Sequence, residues 1–380
     1  MTASDTAVGA RAGDPALSGS TAGGSAASTT FKHGLVIGKF YPVHAGHLNL
    51  IRTALDRCER VSVQVLYSSQ ESVSGELRAQ WLREELPGAH IMTGLDDARV
   101  DYASAAAWDE HVTIMKDLLA GAGPLPAVDA VFTSDAYGAE LARRFAATWV
   151  QVDPGRAAIT AAGRAIRADP GSHWWALPAG VRSWFARRVV VLGAESTGTT
   201  TLAEDLQAHY GLPPVPEYGR EWSEIRPGGL SAPWHTSEFD LVAREQCHLE
   251  DAAARLTPRP LLVCDTDAFA TVLWHERYMG SHSPSVAALA ATRVPDLYLL
   301  TGDEIPFVQD GMRDGEHIRH AMQDQFRQAL AAQQPGGAPW VELRGSRTDR
   351  LAQAIALVDE LIASARPMTD PLPVHGEIPG

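Results

Sequence analysis

The chain has 380 residues, enough for roughly two or three domains, and its 46 Asp and Glu against 32 Lys and Arg give a formal net charge of −14. That balance argues against a general nucleic-acid binder, which carries a basic face, but leaves room for anionic small molecules, because phosphate sites are built locally from backbone N–H groups and a few side chains. Three widely spaced cysteines, Cys58, Cys247 and Cys264, with no Cys-x-x-Cys pair, argue against a disulfide framework or a cysteine zinc site and point to reduced thiols in a cytoplasmic protein.

The first 30 residues are rich in Ala, Gly, Ser and Thr and lack the apolar centre of a signal peptide, so they read as a disordered tail. No apolar run anywhere reaches the roughly 18 residues of a membrane span. From residue 31 strand-like and helix-like runs alternate: "GLVIGKF" reads as a buried strand, "HLNLIRTALDRC" as a helix, "VSVQVLY" as a strand and "LRAQWLREEL" as an amphipathic helix. "AWDEHVTIMKDLLAG" is a helix, "AVFTSD" a strand and "GAELARRFAA" a helix. A second series starts at Val189 and runs through "FDLVAREQCHLEDAAARL", "PLLVCDTD", "AFATVLWHERYM", "DLYLLTG", "HIRHAMQDQFRQALAAQ", "WVELRG" and "RTDRLAQAIALVDELIASA". Such alternation is the signature of parallel α/β sheets, without solenoid repeats. A boundary near residue 186, inside "PAGVRSWFARR", divides the chain into a domain over 31–186 and a second over 187–367, and the "MTDPLPVHGEIPG" end reads as a disordered tail over 368–380.

Two loops stand out chemically. "GKFYPVHAGH", Gly38 to His47, has the form G-x-F-x-P-x-H-x-G-H with Phe40 at its third position. Gly38 ends a strand where backbone must approach a ligand, Pro42 stiffens the connection, and Gly46 lets the chain come close to a phosphate at the helix mouth. His44 and His47, three apart at a helix start, can point to one side; with the helix N-terminus they make an anion site, and Lys39 adds fixed positive charge. The second loop, in "VVVLGAESTGTTTLAEDL", fits G-x-x-x-x-G-K-[ST] through Gly193, Gly198 and Thr200, followed by Thr201, but Thr199 stands where the lysine belongs. Its N–H groups still suit an anion and the Thr200 hydroxyl still suits magnesium; the cation on the β- and γ-phosphates is missing. Asp265 and Asp267 end the strand "LLVCDTD", a spacing suited to holding magnesium or its water shell.

The first loop resembles that of the HxGH-type nucleotidyltransferases. The resemblance implies that both histidines meet the phosphates of ATP, with Gly38, Phe40 and Gly46 also in contact with ATP, while a substrate phosphate attacks the α-phosphorus and expels pyrophosphate. It also implies a late motif close to I-S-x-T-x-I-R, for which "AAITAAGRAIRADP" (157–170) is the matching region. Ile166 and Arg167 fit its end; with two extra residues allowed, Thr160 takes the hydroxyl role, and Arg164 and Arg167 would hold phosphate with the backbone.

The order of the two loops resembles the bifunctional nicotinamide mononucleotide adenylyltransferase and ribosylnicotinamide kinase family, over residues 34 to about 365. That resemblance implies an α/β chain with an N-terminal Rossmann-like HxGH nucleotidyltransferase domain and a C-terminal P-loop kinase-like parallel α/β domain, using ATP with magnesium. It implies that Trp108 stacks on nicotinamide and that Glu217, Tyr218 and Arg220 in "VPEYGREW" face the nucleoside. It places Asp267 at the substrate, and Arg313 and Arg319 in a lid over the transferred phosphate. The remaining tryptophans read as core. The family's longest members carry an N-terminal helix-turn-helix, where this chain has only the small-residue tail, so no nucleic-acid partner is expected. Two other readings stay open: an adenylyltransferase whose second domain only binds nucleotide, favoured by Thr199, and a nucleotidyltransferase for another phosphorylated acceptor, such as a pantetheine or a flavin. The preference for amide or acid mononucleotide and a homo-oligomeric state also stay open.

Overall fold

The structure, a computed structural model, describes residues 31–229, 231–309, 315–333, 335–364 and 366–376. The apolar runs form two parallel sheets. The first half is built from β1 (Phe31–Gly38), α1 (Ala45–Arg57), β2 (Cys58–Tyr67), α2 (Gly75–Glu85), β3 (His90–Leu95), β4 (Val100–Asp101), α3 (Ala105–Gly121), β5 (Ala130–Thr133), α4 (Gly138–Phe145), β6 (Thr148–Gln151), α5 (Gly163–Ala168) and α6 (Ala179–Phe185). Among the described residues its sheet has the order β3-β2-β1-β5-β6, and every pairing is parallel. Leu35 and Val36 of β1 and Val61, Val63 and Val65 of β2 are buried, as expected of a sheet covered by helices on both faces. β3 and β6 are absent from the sequence reading, because "HIMTGL" and "TWVQ" are too short and too mixed to stand out as strands.

The second half comprises β7 (Arg187–Leu192), α7 (Thr199–Tyr210), α8 (Tyr218–Ile225), α9 (Thr236–Leu256), β8 (Leu261–Asp265), α10 (Ala268–Met279), α11 (Pro284–Ala291), β9 (Leu297–Thr301), α12 (Arg319–Ala332), β10 (Trp340–Leu343) and α13 (Arg347–Ala363), followed by β11 (Val374–His375). Its described strands are ordered β10-β9-β7-β8, again parallel. In each sheet the first strand in sequence is central, with its successor on one side and a later strand on the other. The strand order reverses there, and the crevice beyond the strand's carboxyl end is where open α/β sheets take ligands. Both sequence loops emerge at these points, one after β1 and one after β7.

The halves meet where α6 packs on α9, with Trp174 Nε1 donating to Thr257 O at 2.8 Å and Arg255 paired to Glu84 at 2.6 Å. The disordered tail expected over 368–380 does not hold for 368–376. Thr369 hydrogen-bonds to Ser72 and β11 pairs with β4, so contacts far away in sequence order a segment whose composition alone reads as loose. Residues 1–30 and 377–380, assigned to tails, lie outside the described residues. Among the described residues no helix is long and apolar enough to cross a membrane, and the three cysteines are buried and unpaired.

Candidate active sites

At the carboxyl end of β1 the chain turns through Phe40, whose φ is +48°. The Phe40 side chain is buried and meets His47 edge-on at 4.9 Å, so it props the histidine from behind. It does not line the cavity, which corrects its expected contact with ATP. His44 caps α1, with its Nδ1 accepting from Gly46 N at 3.1 Å. That bond makes Nδ1 the acceptor and leaves the proton of the neutral ring on Nε2. His44 and His47 stack at 3.7 Å with 26° between planes. Burial, then the charge of Arg156, lowers the pKa of His44 to about 4. Burial, His44 and Arg156 hold His47 well below the ordinary histidine range. Both rings are therefore neutral hydrogen-bonding groups at pH 7; the fixed positive charge in this cavity comes from Lys39 and Arg156, and Asp96, Asp101, Asp135 and Asp153 also line it.

Lys39 Nζ lies 3.1 Å from Glu71, which also receives the buried Arg78 at 2.6 Å; Arg78 in turn donates to Lys39 O at 2.7 Å. Across the cavity Trp108 is buried at 7 % exposure within an apolar cluster that includes Leu35, Val131 and Leu141. Its Nε1 donates to Tyr102 O at 3.1 Å, yet it still lines the cavity. Tyr102 lies nearly parallel to Tyr137, 6.1 Å away and 13° off. His111 is held by Asp96 at 2.7 Å, and that carboxylate raises its pKa.

The late motif is arranged differently from expectation. Arg167 donates to Tyr41 O at 2.8 Å and lies over the Tyr41 ring, so it braces the turn before His44 instead of lining the cavity. Thr160 and Arg164 are exposed and also outside the lining, which takes Ile159, Ala161 and Gly163 from this segment. The basic residue from this region that lines the cavity is Arg156; like Asp96 and His111, it belongs to no spaced motif and is brought in by the fold.

The second cavity opens on the loop between β7 and α7. A Cβ on Gly193 would stand 2.5 Å from the hydroxyl oxygens of Thr197 and Thr301, and Gly198 has φ +89°, so both positions require glycine. Thr199, Thr200 and Thr201 begin α7 and line the cavity. Arg350 donates to Thr197 O at 2.7 Å and Arg319 to Ser196 O at 3.1 Å. These arginines hold the loop through its carbonyls. Arg319 also donates to Ile305 O at 2.8 Å and is outside the cavity lining, which corrects its expected place at the transferred phosphate. Arg313 lies outside the described residues. Glu195, on the loop itself, is paired with Arg277 at 2.6 Å and accepts from Gly315 N at 2.8 Å. Arg220 is the single basic side chain among the described residues that line this cavity.

Asp265 ends β8 at the cavity floor, with both carboxylate oxygens buried and without a partner at hydrogen-bond geometry. Burial raises its pKa to about 6, and the nearby hydroxyls of Thr200 and Thr199 partly offset the rise. Asp267 is placed elsewhere: it caps α10 through Ala270 N at 3.0 Å, accepts from Tyr298 OH at 2.8 Å and does not line the cavity. That corrects its expected contact with substrate, since a capping aspartate and a metal-binding one share the same spacing after a strand. Among the described residues no three His, Cys, Asp or Glu side chains gather as an ion cage. Thr200 and the orphaned Asp265 suit a magnesium ion whose other ligands are phosphate oxygens and water.

Glu217 and Arg220 line this cavity. Tyr218 does not; its N–H donates to Gln246 at 2.9 Å. The aromatic wall is Trp234, Phe239, Trp274 and Tyr278, with Trp234 5.1 Å from Phe239 and 5.3 Å from Tyr278. Trp234 and Trp274, which the sequence assigns to core, are therefore cavity walls. Arg226, paired with Glu238 at 2.8 Å, lies 3.9 Å over Trp234 and fixes its plane.

A phosphate loop at the switch point of a parallel sheet, beside a second α/β half with its own stacked histidine pair, defines a two-site nucleotide-handling α/β protein. Residues 188–350 match a family described as an AAA domain. The chain is 28% identical over 298 residues to the trifunctional NAD biosynthesis/regulator protein NadR of Escherichia coli (strain K12), covering 74% of this chain and 71% of that protein. The Salmonella typhimurium NadR matches with the same identity and coverage. In fold it is similar to a NadR protein crystallised in complex with NR, with TM-score 0.70, 22% identity and coverage of 88% of this chain and 96% of that one. It is likewise similar to a NadR protein in complex with NAD and AMP-PNP, with TM-score 0.69, 22% identity and coverage of 90% and 100%. The chain is thus similar to the NadR proteins in sequence and in fold.

Proposed function

We propose that the chain is a two-site enzyme of NAD salvage. Its first half transfers AMP from ATP to nicotinamide mononucleotide, giving NAD and pyrophosphate, and its second half phosphorylates nicotinamide riboside with ATP. The observation that carries the reading is the pair of separate cavities, each lined both by one of the two loops and by aromatic side chains.

In the first cavity the reading assigns an HxGH nucleotidyltransferase domain over 31–186. His44, with its proton on Nε2, and His47 donate to phosphate oxygens as neutral groups, and Lys39 and Arg156 supply positive charge. The phosphate of the mononucleotide attacks the α-phosphorus of ATP and pyrophosphate leaves; no covalent enzyme intermediate is needed, so catalysis is positioning and charge stabilisation. Tyr102 and Trp108 give the pyridine ring an aromatic wall. In the second cavity, within 187–367, the N–H groups at the start of α7 hold the phosphates of ATP. Glu217 and Arg220 orient the riboside against Trp234 and Tyr278. Magnesium, held by Thr200 and through Asp265, would neutralise charge on the transferred group. Reactions that draw on ATP are in keeping with a cytoplasmic protein.

The test uses two variants of the full chain. His47→Ala should lose NAD formation from the mononucleotide and keep riboside phosphorylation, whereas Asp265→Asn should do the reverse. Loss of both activities in either variant, with the fold intact, would mean that one site serves both steps and would overturn the assignment.

A further inference from the structure

The chain leaves the last helix of the second half, α13, and does not stop there. Arg366 is paired with Asp296 at 3.2 Å and lies over the ring of Trp184. Met368 then packs against the apolar core of the first half. Thr369 follows, and its hydroxyl is used fully. It donates to Gln70 O at 3.0 Å, accepts from Ser72 N at 2.9 Å and meets Tyr41 OH at 3.1 Å. Its N–H donates to Ser72 Oγ at 3.2 Å. Beyond it β11 pairs in parallel with β4, Val374 opposite Val100 and His375 opposite Asp101. The chain closes with Tyr102 N donating to His375 O at 3.1 Å.

One anchor lies behind Lys39, which lines the first cavity, and the other lies in the cavity lining itself. The Gln70–Ser72 turn that Thr369 grips contains Glu71, the partner of Lys39. The β4 strand that β11 pairs with supplies Val100, Asp101 and Tyr102 to the lining, and Val374 itself lines the cavity. Gly376 sits at φ +74°, and a Cβ there would stand 3.0 Å from Ala103 N, the amide that donates to Asp101. Neither β4, two residues long, nor the loop carrying Tyr102 into α3 has another strand beside it in the described sheets.

We propose that residues 366–376, contributed from beyond the second half, form a strap that completes the mononucleotide end of the first cavity. Thr369 and the Val374–Gly376 segment are positioning residues: the first steadies the turn whose Glu71 holds Lys39, and the second holds β4 and Tyr102 in the lining. The inference rests on the reading of that cavity as the adenylyltransferase site. It also makes that site incomplete without the chain that follows α13, a physical reason for the two activities to stay on one polypeptide.

The experiment measures steady-state NAD formation by full-length wild type, Gly376→Val, Thr369→Val and Thr369→Ser, varying mononucleotide and ATP separately, with a thermal melt of each protein. Gly376→Val meets both a left-handed backbone and a close amide, so it should lift β11 from β4. Thr369→Val removes the hydroxyl at nearly constant shape. Each should raise KM for the mononucleotide about three- to tenfold, the size of a lost hydrogen-bond contact, with kcat within about twofold and the melt unchanged. Thr369→Ser, which keeps the hydroxyl, should behave as wild type. Unchanged KM in both Gly376→Val and Thr369→Val, with wild type active, would overturn the strap alone. A fall in kcat with a lowered melting temperature would mean a merely structural contact and overturn it too. If wild type forms no NAD at all, the reading of the cavity fails and the strap falls with it.

Discussion

Thr199→Lys tests the most unusual feature of the second site. The residue is the first of α7, where a lysine side chain reaches back over the loop toward a bound phosphate. The cavity it would enter is lined by Glu195, Glu217 and Asp265 against Arg220, and Glu195 already holds Arg277 at 2.6 Å. A unit charge about 4 Å from a phosphate oxygen interacts by about 4 kcal/mol at an effective dielectric near 20. Desolvating the ammonium takes back a large part of this. A net gain of roughly 1.4–2.8 kcal/mol in the transition state corresponds to about a ten- to hundredfold rise in kcat. The new ammonium would also stand beside Asp265 and bring its pKa down from about 6. The assay is phosphorylation of nicotinamide riboside, with product identified by mass and ADP release followed in parallel. The account predicts slow turnover by wild type and a faster Thr199→Lys enzyme. Equal or slower turnover by the variant would refute the argument that the loop lacks a cation. If wild type turns over no riboside and the variant does, the second half of this chain acts as a nucleotide-binding module.

Asp265→Asn removes a carboxylate that burial disfavours, so beyond losing kinase activity it should raise stability at pH 7 by about 1–3 kcal/mol, read as a higher Tm; a lower Tm would contradict the burial argument. Trp108 is part of the apolar core as well as the cavity wall, so Trp108→Ala should cost about 3–5 kcal/mol of stability and raise KM for both substrates. Trp108→Phe, which keeps an aromatic face, should raise KM for the mononucleotide alone, and an unchanged KM there would remove the stacking role. His44, with its pKa lowered to about 4 in the folded protein, is protonated more readily when unfolded. It contributes stability that is present above the unfolded value near 6.5 and lost as pH falls toward 4, by up to about 3 kcal/mol. Denaturant melts of wild type and His44→Gln between pH 7 and pH 4 should converge as pH falls, and parallel curves would contradict the depressed pKa.

Both loops were legible in the sequence because their chemistry is local: a glycine, a proline and two histidines within ten residues, or two glycines five apart after a buried strand. The central strands were legible for the same reason, as continuous apolar runs. What the fold brings together from a distance was not. Arg156, the Asp96–His111 pair and the Arg277–Glu195 pair belong to separate elements and have no spacing to betray them. Asp267 was misplaced because capping and metal binding ask for the same residue after a strand, and only the Ala270 and Tyr298 contacts distinguish them. Arg167 and Arg319 were placed at phosphates on motif position, yet each is committed to main-chain carbonyls. The Trp234 and Trp274 rings look like core until the cavity between them is seen. The C-terminal segment reads as a tail because its order comes from Ser72, Tyr41 and β4, some 270 to 330 residues away.

The central claim is tested most directly by incubating the purified full-length chain with ATP, magnesium and nicotinamide mononucleotide, and separately with ATP, magnesium and nicotinamide riboside, and identifying the products by mass. The account predicts NAD with stoichiometric pyrophosphate in the first mixture, and in the second the mononucleotide with ADP, followed by NAD. Hydrolysis of ATP without NAD in the first mixture, or adenylylation of a different phosphorylated acceptor in its place, would contradict it.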